Sequence, residues 1–250
     1  MSTDSPEQIV HTLVTRYGQT HKSLQFANYI SAYQYLKLYE LMARYVPQGS
    51  RVLDWGAGIG HFSHFLLRSG YQASGFGFEE WPFLCQDTTP PTYDYRQGSP
   101  ANPIELPFAD ASFEAVVSVG VLEHVREVQG DELGSLREIR RILKPQGLFL
   151  CYHLPNRYSW IEFLARRTQR FSHTYRFTQT DIRRLTSAAA LELWEMGRYA
   201  PLPRNLWQSP WLRHPRWGPR IAIAYNYLDW ALSWPLSFVS QNYYFVAHKP

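Results

Sequence analysis

The segment at residues 51–70 constrains the fold more strongly than any other part of the chain. It begins with the strand-like residues Arg51–Trp55, continues with glycine at positions 56, 58 and 60, and then has apolar residues at helical spacing that end at Gly70. A glycine turn of this kind brings a strand tightly into a helix whose first N–H groups face a ligand. The segment therefore predicts a strand, a ligand-binding turn and a helix.

Strand and helix signals alternate along most of the chain. Apolar runs predict strands at residues 71–78, 93–97, 113–119, 148–152, 190–199 and 243–247, and helical spacing predicts helices at 6–18, 26–46, 132–143 and 180–189. This alternation is typical of a doubly wound α/β fold, in which a mostly parallel sheet has helices on both faces. Such sheets bind ligands beyond the carboxyl ends of their strands.

The length and the composition fit one domain. The 250 residues, of which 45% are hydrophobic, can bury a sizeable core, and no linker marks a second domain. We predict a single domain at residues 1–250. It would consist of a helical N-terminal cover at 1–50, a cofactor-binding core at 51–155, and a substrate insertion, lid and last strands at 156–250.

The composition also excludes several classes of protein. No apolar run is long enough to span a membrane, and the first residues lack the basic-then-apolar order of a signal peptide, so we expect a cytoplasmic protein. The two cysteines, Cys85 and Cys151, are far apart, which excludes a disulfide framework and any zinc site built on cysteine ligands. The sequence predicts no metal.

The residues around the glycine turn narrow the kind of ligand. A dinucleotide fingerprint would need glycine where His61 stands, and the lysine of a phosphate-binding P-loop is absent, so a nicotinamide oxidoreductase is disfavoured. Asp54 precedes the first glycine by two residues, and its carboxylate suits a positively charged ligand better than a pyrophosphate. The turn therefore predicts a nucleotide-like ligand that carries positive charge.

Four motifs follow one another in the order and at the spacing of a known family. They begin at Val52 (VLDWGAGIG), Leu106 (LPFADASFEAVVS), Val121 (VLEHV) and Arg137 (REIRRILKPQG). With them the chain resembles the class I S-adenosylmethionine-dependent methyltransferases, in particular the small-molecule branch that includes quinone and type-11 methyltransferases. The resemblance implies a Rossmann-like sheet of seven strands with the last one antiparallel, and S-adenosyl-L-methionine as the cofactor.

The resemblance also implies a cofactor site, from which this chain departs at two positions. The cofactor-binding residues would be Asp54, Gly56, Gly58, Gly60, Glu79, Ser99 and Gly120. Relatives place an acid for the ribose hydroxyls where this chain has Gly77, and we expect Glu79 to perform that task from a shifted strand end. Relatives commonly have an aspartate for the adenine amino group where this chain has Ser99. These losses support an alternative, a non-catalytic binding module with a degenerate cofactor site.

Two histidines are the candidates for proton transfer. Methyl transfer from a sulfonium needs a positioned nucleophile and, when the nucleophile is a hydroxyl, a base that removes its proton. His124 follows the fourth predicted strand and His153 follows the fifth, and both can titrate near neutral pH. We prefer His124, and the alternative for both is a packing or capping role. We predict methylation of an oxygen, in preference to nitrogen or carbon, on a small or lipid-linked acceptor.

The C-terminal part of the chain is basic and rich in tryptophan. Residues 151–250 contain 13 Lys/Arg against 5 Asp/Glu, a net charge of +8, and seven of the nine tryptophans. One hypothesis is peripheral contact with the inner face of a membrane, because tryptophan suits the interface and arginine suits anionic head groups. The alternatives are a lid packed by its own rings and a site for an anionic small molecule. Nucleic acid is disfavoured, because no RNA-binding module accompanies the charge.

Overall fold

A seven-stranded sheet forms the centre of the molecule in the computed structural model, which describes residues 4–18, 24–80, 82–85, 93–205 and 209–250. The strands are β1 Arg51–Trp55, β2 Gln72–Gly77, β3 Asp94–Gln97, β4 Phe113–Val119, β5 Leu143–Pro155, β6 Glu192–Tyr199 and β7 Asn242–His248. Their order is β3-β2-β1-β4-β5-β7-β6, and β7 is antiparallel to both of its neighbours. The predicted sheet, with an antiparallel last strand, is confirmed.

Helices cover both faces of the sheet. They are α1 Pro6–Thr12, α2 Tyr29–Ala32, α3 Leu36–Tyr45, α4 His61–Arg68, α5 Glu132–Ile142, α6 Trp160–Arg167, α7 Gln179–Ala188 and α8 Gly218–Ser233. Successive strand residues point to opposite faces, so Val52 and Val117 pack with α1, α3 and α4, whereas Leu53 and Val116 pack with α5 and α7. Because both faces are buried, the central strands read as continuous apolar runs.

Several elements differ from the sequence predictions, and the helix α8 was not predicted. The strand predicted at 148–152 is longer, because Leu143 already pairs with Phe113 before a bulge interrupts the ladder. The helix predicted at 26–46 is divided, since Asn28 caps α2 and a tight turn at Tyr33–Tyr35 separates α2 from α3. Helix α6 was not predicted, because of its eight residues the structure shows only Glu162 as buried.

The segment predicted to be a lid is fastened to the N-terminal helices. The side chains of Arg204 and Asp229 form a buried ion pair with an N–O distance of 2.8 Å, and an Arg204 N–H also donates to the carbonyl of Ile30. Gly218, the first residue of α8, lies against the ring of Tyr29, where a Cβ atom would come within 2.3 Å. Trp207 of this segment lies outside the described residues. The division into cover, core and lid stays a prediction.

Within the described ranges, no helix has both the length and the apolar composition that crossing a lipid bilayer requires.

Candidate active site

The glycine turn after β1 has a backbone that other residues could not adopt without strain. Gly56, Gly58 and Gly60 have φ angles of +81°, +49° and +87°. A Cβ atom on Gly56 would also lie 2.3 Å from a methyl carbon of Val121. The turn therefore approaches the loop after β4 closely, and it leads into α4 at His61 as predicted.

Asp54 lies behind this turn and fastens it to α4. Its side chain is 2% exposed, and its carboxylate accepts a 2.7 Å hydrogen bond from the hydroxyl of Ser63. Burial raises the pKa of Asp54 to about 7, although the hydrogen bonds from Ser63 oppose the shift. Asp54 is not among the residues that line the adjoining cavity.

A cavity of about 250 Å³ lies at the carboxyl ends of β1, β2 and β4. Gly56, Gly58, Glu79, Gly120 and His124 line it, so five predicted site residues meet there. The rest of its wall is mainly apolar and includes Phe76, Phe78, Val121 and Val125. An apolar wall with a few polar groups at one end is the usual form of a small-molecule site.

Tyr95 lies close to Gly77, the position where relatives place the acidic residue that binds the ribose hydroxyls. A Cβ atom on Gly77 would lie 3.0 Å from the hydroxyl oxygen of Tyr95, so a side chain there would require Tyr95 to shift by a few tenths of an ångström. The same hydroxyl donates a 2.7 Å hydrogen bond to the carbonyl of Glu79 and thereby holds the end of β2. Glu79 itself lines the cavity, two residues beyond the usual position of the acid.

Ser99, like Asp54, does not line the cavity. It is exposed, and its hydroxyl accepts a 3.2 Å hydrogen bond from the N–H of Ala101 in a local turn. Gly60 also does not line the cavity, because it begins α4 and lies against Pro82 and Cys85. Ser99 and Gly60 are therefore not among the residues that the structure brings together around the cavity.

His124 is placed by a short helical segment, Leu122–Val128, that follows β4. Its Nδ1 atom lies 2.9 Å from a carboxylate oxygen of Glu127, which orients the ring. The preceding residue, Glu123, is 2% exposed, and burial raises the pKa of its carboxyl to about 8. The resemblance placed Glu123 beside His124 near the substrate, but the sequence assigned Glu123 no role.

His153 is held in a different environment, away from the lining of the cavity. The hydroxyl of Tyr199 accepts a 3.0 Å hydrogen bond from the backbone N–H of His153. The same hydroxyl lies 2.8 Å from the ring Nδ1 atom of His153. Burial lowers the pKa of His153 to about 3, so its ring is neutral at physiological pH. The Nε2 atom of the same ring is buried and has no hydrogen-bond partner among the described residues.

Comparisons with known proteins identify the family of the chain. The family model described as the methyltransferase domain matches residues 26–196, which is more than half of the chain. The chain belongs to this methyltransferase family. The resemblance noted in the sequence is thereby confirmed, and it supports S-adenosyl-L-methionine as the cofactor.

The methyltransferase matches curated relatives over part of their length. It is 29% identical over 147 residues to a probable S-adenosylmethionine-dependent methyltransferase of Mycolicibacterium smegmatis, covering 58% of this chain and 53% of the relative. It is 31% identical over 112 residues to the demethylmenaquinone methyltransferase of Tropheryma whipplei, covering 42% of this chain and 43% of the relative. The chain thus spans about half the length of the curated relatives it matches.

Solved structures resemble the methyltransferase over most of its length. The putative methyltransferase of Haloferax volcanii, solved with the Trm112 activator, has a TM-score of 0.59 at 20% identity and covers 86% of this chain and 89% of its own. A possible histamine N-methyltransferase of Thermotoga maritima also has a TM-score of 0.59, at 15% identity, covering 98% and 99%. At these identities the likeness shows the fold, which confirms the predicted Rossmann-like class I architecture.

Proposed function

We propose that this protein transfers the methyl group of S-adenosylmethionine to an oxygen atom of a small or lipid-linked acceptor. The observation that carries the proposal is the cavity at the strand ends, where Gly56, Gly58, Gly120 and Glu79 line one mainly apolar space. These residues fit the cofactor: the apolar wall suits the adenine ring, Glu79 can accept from ribose hydroxyls, and the glycine turn permits close approach.

The chemistry requires little from the protein beyond positioning and proton transfer. When bound, S-adenosylmethionine supplies an electrophilic methyl group on a positively charged sulfur atom. The glycine turn and Gly120 would fix its place, and His124, at the edge of the cavity, would remove the proton of a hydroxyl acceptor. Of the two predicted bases, His124 is the better placed, because His153 does not line the cavity.

The names of two relatives support a lipid-like acceptor. One is a demethylmenaquinone methyltransferase, and another is the sterol 24-C-methyltransferase ERG6B of Gibberella zeae, which is 27% identical over 114 residues. That match covers 43% of this chain and 28% of the relative. Both names indicate acceptors that are largely apolar molecules, which agrees with an acceptor reached from a membrane.

The surface of α8 supports contact with an anionic bilayer. The buried residues of this helix are Gly218, Ala222 and Asp229, and its other faces expose large apolar side chains. The exposed side chains on and after the helix are Ile221, Ile223, Tyr227, Leu228, Trp230, Trp234 and Phe238. Arg216 and Arg220 lie over the ring of Trp217 at the start of the helix, where their charge can meet anionic head groups. We call Ile221 to Phe238 with these arginines the α8 surface.

Calorimetric titration tests the cofactor part of the proposal. We expect S-adenosylmethionine and its demethylated product S-adenosylhomocysteine to bind the purified protein, and a nicotinamide dinucleotide not to bind. Transfer to an acceptor can then be followed with a labelled methyl group. If neither sulfur compound binds, the proposal is wrong and the alternative of a non-catalytic binding module takes its place.

A further inference from the structure

Three side chains that could ligate a metal ion meet beside the cavity. Glu123 and His124 come from the segment after β4, and His173 comes from the loop between α6 and α7. Each can offer one ligand atom such that all three atoms lie within 4.8 Å of one another. The centroids of the two imidazole rings are 5.5 Å apart. Two distant parts of the sequence therefore bring two imidazoles and one carboxylate to a single point.

A further carboxylate orients each of the two rings. Nδ1 of His124 lies 2.9 Å from Glu127, and Nδ1 of His173 lies 3.0 Å from Glu162. Glu162 also accepts a 2.9 Å hydrogen bond from the N–H of His173, so the ring is held from two sides. Histidines that ligate metals usually donate one ring N–H to a carboxylate, which fixes the tautomer and makes the other nitrogen a better ligand. Both rings have this arrangement.

Glu123 supplies an independent sign that a cation belongs here. Its side chain is 2% exposed, and its Oε2 atom is buried without a hydrogen-bond partner among the described residues. A buried carboxyl oxygen without a partner is costly, and native proteins normally pair such atoms. An ion held between Glu123 and the two imidazoles would complete this coordination.

We infer that Glu123, His124 and His173 form a binding site for a divalent transition-metal ion. Two imidazoles and one carboxylate are a ligand set of zinc enzymes and of non-haem iron sites, and both leave coordination positions open. Magnesium and calcium prefer oxygen ligands and are expected to bind poorly. Ligands of one ion lie at about 2.0–2.2 Å from it, so small side-chain rotations would close the site around the metal.

The site touches the cavity through His124, and its effect on methyl transfer rests on the proposed function. An ion there could hold an oxygen atom of the acceptor and lower the pKa of its hydroxyl group. In that case the free nitrogen of His124 binds the metal instead of removing a proton. His173 distinguishes the two roles, because a general base at His124 does not require it whereas a metal site does.

Titration of tag-free, chelator-stripped protein with Zn²⁺ and with Co²⁺ tests the inference. We expect one ion per chain, with a visible Co²⁺ absorption spectrum, and no comparable binding of Mg²⁺. Glu127→Gln should weaken Zn²⁺ binding by roughly 10- to 100-fold, as changes of outer carboxylates do, and His173→Gln and Glu123→Gln should weaken it more. The matched control is His214→Gln, which changes an exposed histidine outside the cluster.

Two results would overturn the metal site. One is that the His214→Gln control binds Zn²⁺ or Co²⁺ no more tightly than the same variant in which Glu123, His124 and His173 are also replaced. The other is unaltered binding in both His173→Gln and Glu123→Gln, with circular dichroism showing that the metal-free variants remain folded. Calorimetry with S-adenosylhomocysteine in the presence of a chelator reports on the proposed function alone, so the two proposals can fail separately.

Discussion

Glu79 is our candidate for the ribose-binding carboxylate that relatives place where this chain has Gly77. Tyr95 occupies the space beside Gly77, and the carboxylate two residues later reaches the same cavity. Losing a hydrogen bond to a charged group costs about 1.5–3 kcal/mol, so Glu79→Ala should weaken S-adenosylhomocysteine binding roughly ten- to a hundredfold. Calorimetry with Glu80→Ala, an equally exposed neighbour, is the control. Equal effects of the two variants would remove Glu79 from the site.

Asp54 predicts how stability depends on pH. Its folded-state pKa is raised to about 7 from 3.8, so its contribution to stability is complete below pH 3.8 and is lost as the pH rises to 7. One pKa unit corresponds to about 1.4 kcal/mol. As the pH rises from about 5 to about 8, the free energy of unfolding of Asp54→Asn should therefore increase by about 2–3 kcal/mol relative to that of the wild type. Urea unfolding at both pH values measures this difference. A constant difference would show that Asp54 ionises normally.

At the scale of single residues, local signals were predictable and distant pairings were not. The turn after β1 could be predicted from its glycines, because their spacing and their conformational freedom are local properties. The meeting of His173 with Glu123 depends on where the loop after α6 lies, which no periodicity records. The prediction that the protein binds no metal rested on cysteines, and it therefore did not consider a site made of imidazole and carboxylate.

Among the elements, α8 is held in part by a buried ion pair. Arg204 and Asp229 are each less than a tenth exposed, and Asp229 also accepts from the N–H of Leu202. Removing one partner leaves a buried charge, so Arg204→Met and Asp229→Leu should each lower the free energy of unfolding by about 3–5 kcal/mol.

The double variant is the control for this pair. Because no buried charge remains unpaired in Arg204→Met/Asp229→Leu, its loss should be clearly smaller than the sum of the two single losses. Urea unfolding of all four proteins gives the coupling energy. Strict additivity would mean that the two side chains act independently.

Elements with a buried face were predictable from the sequence, and α6 was not. The central strands have apolar residues on both faces, and α5 places Leu136 and Ile139 in the core, so their patterns are strong. In α6 the burial falls on Glu162, whereas Phe163 and Leu164 are exposed. A helix that points apolar residues outward and a carboxylate inward contradicts the rule by which helices are recognised.

At the scale of the whole molecule, the α8 surface predicts selective vesicle binding. Trp230 and Trp234 are 76% and 90% exposed, so Trp230→Ser/Trp234→Ser should reduce co-sedimentation with anionic phosphatidylglycerol vesicles at least about tenfold. Neutral phosphatidylcholine vesicles should bind the wild type more weakly. The control is Trp194→Ser, because Trp194 is half exposed but lies on β6, stacked on His248. If vesicle binding changes neither with lipid charge nor in Trp230→Ser/Trp234→Ser, the α8 surface is not the site of membrane contact.

The position of β7 has a consequence for how the chain is made. β7 lies between β5 and β6, although it follows both in the sequence. During synthesis, one edge of β5 and both edges of β6 therefore lack their native hydrogen-bonding neighbour. This neighbour, β7, becomes available only when residue 248 has left the ribosome. Unpaired strand edges invite association with other chains. Slow translation or a low level of chaperones should thus reduce the yield of folded protein, and this loss would occur before any ligand binds.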